Sequence, residues 1–270
     1  GDPLPGFPLA LPGEKITHLS LLDYDNNKEY RYFLATESGN LWLLDKLGKQ
    51  LEGWSPLKLG EKTKSTPFHA RVQGKGDFLV VLGASGKLYL FNRKGEPLAG
   101  SPVILPEGIA SPLVLKKTSP PTLQTITAGG EVIEISFSGE ILKKKQVQKT
   151  NRDDKFRELP DQKGNGALLV VEQFNKIQLF DNQQALLLTL SLKGDQTWLG
   201  YFDFGSSRKI IEVTDRQQGL GYLYDLKGNL LISSPLQSEG EIQISHQPNQ
   251  GQYLIRTRFG KNLLEYLIPD

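Results

Sequence analysis

Ser38 to Pro56 reads SGNLWLLDKLGKQLEGWSP, and Ser85 to Pro102 reads SGKLYLFNRKGEPLAGSP. The phrase returns in weaker form as GGEVIEISFSGEIL (Gly129 to Leu142), FNKIQLFDNQQALL (Phe174 to Leu187) and QGLGYLYDLKGNLL (Gln218 to Leu231). Repeats of this length mark units that cannot bury a core alone and are stable only as an array. Within the phrase, Asn40-Leu41-Trp42-Leu43-Leu44 and Lys87-Leu88-Tyr89-Leu90-Phe91 are short apolar runs with Gly at both ends. Such runs predict strands rather than helices. The turns that follow, Asp45 to Gly48 and Asn92 to Gly95, set Gly where a hairpin needs positive φ.

Working outward, a strand precedes each phrase (Tyr32–Thr36, Phe78–Leu82), and a further one precedes that (Thr17–Leu21, Thr66–Ala70, Ser111–Leu115). Four strands per unit predict a propeller blade. The Gly that opens the third strand falls at 39, 86, 130 and 219, with Asn175 in its place in the fourth unit, and Gly260 continues the series. A turn residue follows nine positions later at Gly48, Gly95, Gly139, Gln184 and Gly228. The fold class is therefore all-β, a six-bladed β-propeller of four-stranded antiparallel blades in one domain, residues 1–270. The blades are expected at about 16–61, 66–107, 110–149, 153–193, 197–239, and 240–270 plus 1–12. Asp2 to Leu9 matches Glu96 to Val103, so the N-terminal strand is expected to complete the C-terminal blade and close the ring without a free edge.

Composition narrows the function classes. Cysteine is absent, which excludes disulfides, thiolate metal sites and a thiol nucleophile. A net charge of +2 from 32 basic and 30 acidic residues gives no case for nucleic acid. No apolar run is long enough for a transmembrane helix. Methionine is absent, so the chain is expected to be a mature or excised piece whose signal or anchor is not included. A monomer is expected.

The first unit, with Leu22-Asp23-Tyr24-Asp25-Asn26-Asn27, then Tyr30-Arg31-Tyr32-Phe33-Leu34-Ala35, Ser38 to Asp45 and Gly53-Trp54-Ser55-Pro56, resembles the FG-GAP/VCBS type of propeller repeat. It is also similar to repeats in envelope-associated propeller proteins of Bacteroidetes. The resemblance is sharp over residues 1 to about 105 and implies an exported bacterial protein, in the periplasm or on the cell surface. It carries no catalytic residues. It implies one metal site: Asp23, Asp25 and Asn27 stand at the alternate positions that wrap Ca²⁺ in such loops, although Arg31 stands where a later acid is expected. The other reading of the same residues is an Asx turn bonded to local amides. No other cofactor is expected.

A propeller works at the mouth of its channel, where first strands begin. Register sets His18, Thr66, His69, Ser111, Lys155, Trp198 and Gln243 there as binding candidates. No paired carboxylates and no nucleophile with a base appear among them, as a hydrolase or lyase would need. The three histidines (His18, His69, His246) sit at different depths in their strands. Lys143-Lys144-Lys145 reads as an edge-protecting strand. The leading expectation is a non-catalytic binding or scaffold module that recognises a protein partner through channel-mouth loops. The alternatives are a carbohydrate-binding or hydrolytic propeller using channel-mouth polar residues, and a Ca²⁺-stabilised structural module.

Overall fold

The computed structural model describes residues 8, 11, 13–54, 56–106, 108–147, 149, 151–162, 166–191 and 197–270. Strands of consecutive order pair antiparallel into six sheets, five of four strands and one of three. This is the six-bladed β-propeller expected. Blades 1 to 5 comprise Ile16–Leu22, Arg31–Thr36, Asn40–Leu44 and Leu57–Lys58; Phe68–Val72, Gly76–Leu82, Lys87–Phe91 and Val103–Ile104; Val114–Lys116, Thr122–Ile126, Glu131–Ile135 and Ile141–Gln146; Lys155–Pro160, Ala167–Glu172, Lys176–Phe180 and Leu186–Ser191; Thr197–Asp203, Lys209–Asp215, Leu220–Tyr224 and Leu236–Gln237. Blade 6 comprises Gln243–Gln247, Gln252–Phe259 and Asn262–Pro269. The strands of each blade are called a to d in chain order. The N-terminal match that would supply a fourth strand to blade 6 lies mostly outside the described residues.

The described chain groups into two compact units, one of residues 1–127 and 131–145, the other of 128–130 and 146–270. In the first unit, one apolar cluster joins blades 1 and 2 (Phe33, Leu41, Leu43, Trp54, Leu79, Val81), and another joins blades 2 and 3 (Val80, Leu88, Leu90, Leu123, Ile133, Ile135). In the second unit, equivalent clusters join blades 4 and 5 (Val170, Leu179, Ile211) and blades 5 and 6 (Ile210, Leu223, Ile242, Ile255). Strand b of blades 2, 4 and 5 is buried along most of its length and so runs apolar instead of alternating, while strand b of blade 6 alternates, with Arg256 and Arg258 exposed.

Register in the turns follows backbone conformation. Gly48, Gly95, Gly139 and Gly228 take φ between +79° and +86°, and Gln184, their counterpart in blade 4, accepts the same left-handed region at +67°. Asn175 does not take positive φ, so the b–c turn of blade 4 differs from those opened by Gly.

Two sequence expectations change. Strands a of blades 2 and 3 begin at Phe68 and Val114, so Thr66 and Ser111 precede the strands. Pro67 and Pro112 lack the N–H that a ladder needs. Strand d of blades 1, 2 and 5 is also interrupted: a bridge (Leu44 to Gln50, Phe91 to Pro97, Tyr224 to Leu230) is followed by a bend and then a two-residue strand. In blade 1 the bend carries Trp54 into the core, fully buried, where its ring meets Phe33 and Phe91 edge-on and its indole N–H donates to the Arg93 carbonyl at 2.9 Å. The adjacent Gly53, φ +82°, lies against the c–d turn of blade 2, and a Cβ there would collide with the Lys94 carbonyl oxygen. Gly100, φ +84°, sits the same way on blade 3, where a Cβ would come within 2.6 Å of the Ser138 carbonyl oxygen.

Candidate functional site

The a–b loop of blade 1 shows how its acids are used. Asp23 accepts the amides of Asn27 (3.1 Å) and Lys28 (3.0 Å), and Asn27 Oδ1 accepts the amide of Glu29 (3.0 Å). These are Asx-turn bonds, and they hold Asn26 and Lys28 at positive φ. Asp25 turns away to Arg93 (2.7 Å) and Arg71 (3.1 Å) on blade 2. Asp77 completes the network, meeting Arg71 and Arg93 at 2.8 Å each and His69 Nε2 at 2.7 Å. Burial would raise the Asp77 carboxyl, but Arg71, His69 and Arg93 outweigh it and hold it at about 2. Burial lowers His69 against the pull of Asp77. The guanidinium groups of Arg31 and Arg93 lie over the Tyr24 ring at 4.7 and 4.6 Å. Carboxylates neutralised this firmly are poor bases, and the network acts as a brace between blades 1 and 2.

A second device joins the approach to strand a with the b–c turn of the same blade. Glu14 accepts from Ser38 Oγ (2.6 Å) and from the Asn40 amide side chain. Glu61 accepts from the Ser85 amide (2.6 Å), Ser85 Oγ (2.8 Å) and the Tyr89 hydroxyl (2.8 Å). Glu239 accepts from the Gly260 amide (3.1 Å) in blade 6. The first two belong to a Gly-Glu-Lys triplet repeated at 13–15 and 60–62, a signal in the sequence that strand-based reading passes over.

The channel-mouth candidates of the first unit make separate contacts. His18 is half-buried and bonds Thr63 Oγ1 through Nδ1 at 2.9 Å, and burial lowers its pKa. His69 belongs to the brace, while Thr66 is exposed and Ser111 is buried. In the other unit, Lys155 and Gln243 are exposed at the starts of their strands, and Trp198 is 40% exposed. His246 pairs with Asp270 at 2.8 Å, which also holds Arg208 at 3.1 Å. Among the described residues, no group of three or more His, Cys, Asp or Glu is arranged to hold a metal ion.

Glu212, missed in the sequence, is fully buried on strand b of blade 5. Its Oε1 accepts the Ile242 amide (3.0 Å) and Thr214 Oγ1 (2.9 Å), and Oε2 has no partner. Gly200 leaves the space it fills. Burial, reinforced by Glu241, raises its carboxyl to about 7 despite those two bonds. Such a value suits an acid catalyst, but a group with no exposed surface cannot meet a substrate.

One end of the sheets of the second unit carries exposed aromatic and basic side chains. In an antiparallel blade the start of strand a and the b–c turn share an end. The parallel bridge between Asp161 and Tyr201 gives strands a of blades 4 and 5 the same direction. That end carries Phe174, fully exposed in the b–c turn of blade 4, together with Trp198 and Lys155. The b–c turns of blades 5 and 6 flank an open cleft of about 380 Å³ lined by Arg216, Gln217, Gln218, Glu239, Arg258 and Phe259, with Gly219. No single-sequence pattern announces this cleft, because its walls come from two blades.

No protein-family model matches the chain, and no curated protein matches it. Solved structures do. The protein Sqt1 of Saccharomyces cerevisiae is 14% identical, with a TM-score of 0.63 over 95% of this chain and 73% of that one. BamB from Moraxella catarrhalis is 14% identical, with a TM-score of 0.54 over 92% of this chain and 82% of that one. A catalytically inactive virginiamycin B lyase from Staphylococcus aureus, solved with quinupristin, is 11% identical, with a TM-score of 0.51 over 97% of this chain and 87% of that one. The shared property is the propeller fold, which hosts lyases as well as proteins of other kinds, so function rests on the site. Among the described residues no helix is long and apolar enough to cross a membrane, which leaves β-barrels unaddressed.

Proposed function

We propose that this protein is a non-catalytic binding module that holds a protein partner at the end of blades 4 to 6 where strands a begin and b–c turns cluster. One observation carries the reading: Phe174, Trp198, Arg216 and Arg258 are all outward there, and the Arg258 side chain has no partner among the described residues. Single exposed apolar residues are ordinary. Aromatic and arginine side chains together are the types that dominate binding energy at protein interfaces. In the first unit, by contrast, Glu14, Asp25, Glu61, His69, Arg71, Asp77 and Arg93 are engaged in braces and turn caps. The resemblance of the repeats to exported bacterial propellers supports an address in the cell envelope.

The test is capture from an envelope extract with immobilised wild-type protein and with Phe174→Ala and Trp198→Ala, each checked for an unchanged melting temperature. A stoichiometric partner retained by wild type and lost from either variant supports the reading. Equal retention by all three, or no partner, overturns it.

A further inference from the structure

We propose that the cleft between the b–c turns of blades 5 and 6 takes a carboxylate-rich peptide segment, which rests on the binding reading above and names the chemistry of the partner. The cleft is preformed. Asp215 Oδ1 accepts the amides of Gln217 and Gln218 at 3.0 Å each, fixing the blade 5 turn. Gly219, φ +68°, lies so close to Phe259 that a Cβ would stand 2.9 Å from the ring. From the other side, the Glu239 amide donates to the Arg258 carbonyl at 2.9 Å, and Glu239 Oε2 accepts the Gly260 amide at 3.1 Å. Arg216 Nε donates to the Glu239 carbonyl at 3.3 Å. Walls held this way lose little freedom when a ligand enters.

The groups left over are donors. Among the described residues, Arg258 has no side-chain partner, Arg216 uses only Nε, and the side-chain amides of Gln217 and Gln218 make no bond. Two guanidinium forks match carboxylate oxygens in pairs. They belong to different blades, and the one acid of the lining, Glu239, sits on the linker that joins those blades. An extended chain can set one carboxylate against each arginine, whereas a compact polyanion would be brought against Glu239. A cleft of about 380 Å³ is at the small end of ligand sites, enough for a few side chains but not for a large cofactor.

The experiment is fluorescence anisotropy with a fluorescein-labelled hexaglutamate peptide and the intact chain, comparing wild type, Arg258→Ala and the double variant Arg216→Ala/Arg258→Ala. Both arginines are exposed, and melting curves verify that the variants fold. Saturable binding to wild type is expected, weakened about tenfold or more in the double variant and weakened between about 50 and about 300 mM NaCl. No saturable binding, or equal binding to the double variant, overturns the proposal. So does displacement by inorganic phosphate at lower concentration than by unlabelled peptide, which would mark a phosphate site. Partner capture that survives the arginine substitutions but fails with Phe174→Ala or Trp198→Ala removes this proposal alone. Capture lost in neither set removes the binding reading as well.

Discussion

Replacing Glu212 by Gln isolates the effect of one buried carboxyl on stability. Burial, with help from Glu241, moves that carboxyl from its ordinary 4.5 to about 7, against the bonds from Ile242 and Thr214. Between those two values the folded chain keeps a proton that the unfolded chain has released. Stability therefore falls as pH rises from about 4.5 through about 7, and this contribution is flat on either side. A difference of about 2.5 in pKa, at about 1.4 kcal/mol per pH unit, makes the loss about 3 kcal/mol. The substituted glutamine keeps an Oε1 to accept from the Ile242 amide and Thr214, and it cannot ionise. Urea unfolding of wild type and variant at constant ionic strength, from about pH 4.5 to about pH 8.5, gives the comparison. The difference between the two curves should change by about 3 kcal/mol across that range in the sense that wild type loses more. Parallel curves would refute the reasoning, because Glu212 would then ionise at its ordinary value with water at Oε2.

Three further outcomes are expected. Trp54→Ala should cost about 3–5 kcal/mol, since a fully buried ring is lost, while Trp198→Ala should stay within about 1 kcal/mol; thermal melts separate them. Gly53→Ala should destabilise by about 2 kcal/mol or more through φ +82° and the collision with Lys94, while Gly240→Ala, with nothing within 4 Å of the new Cβ, should be near neutral. Asp77 titrates at about 2 in the folded protein against 3.8 ordinarily, so its stabilisation is present above about pH 4 and is lost as pH falls toward 2; Asp77→Asn should flatten the acid limb of a stability profile.

Much of the fold can be read from spacing. The nine-residue interval from Gly39 to Gly48 recurs even where Gln184 replaces Gly, because the hairpin demands positive φ and the neighbouring pairs compel it. The interruption of strand d is also written in the chain, as Ser-Pro-Leu at 55–57 and again at 234–236, but a continuous strand is the simpler expectation. The site is far less legible. Glu212 looks like any acid in a strand until Gly200 and Ile242, from a neighbouring strand and the next blade, enclose it. Arg216 and Arg258 are separated by 41 intervening residues and acquire meaning only when two turns meet. Asp25 presents the converse case. It fits a cation-loop spacing, yet its carboxylate is directed to Arg71 and Arg93, 46 and 68 residues away.

The Gly53 and Gly100 contacts have a direction. In the first unit, blades 1 and 2 each lean their bend forward onto the c–d turn of the next, Gly53 onto Lys94 and Gly100 onto Ser138. Coupling across these two junctions is thus polar along the chain, unlike the symmetric coupling of an idealised repeat series. A polypeptide emerging from the ribosome carries Trp54 before its acceptor at Arg93 exists, so blade 1 cannot finish its own core until blade 2 has been made. A chain begun at blade 2 keeps its clasp on blade 3, and one ended after blade 1 has none. Truncations from opposite ends, equal in length, are not equal in what they leave undone.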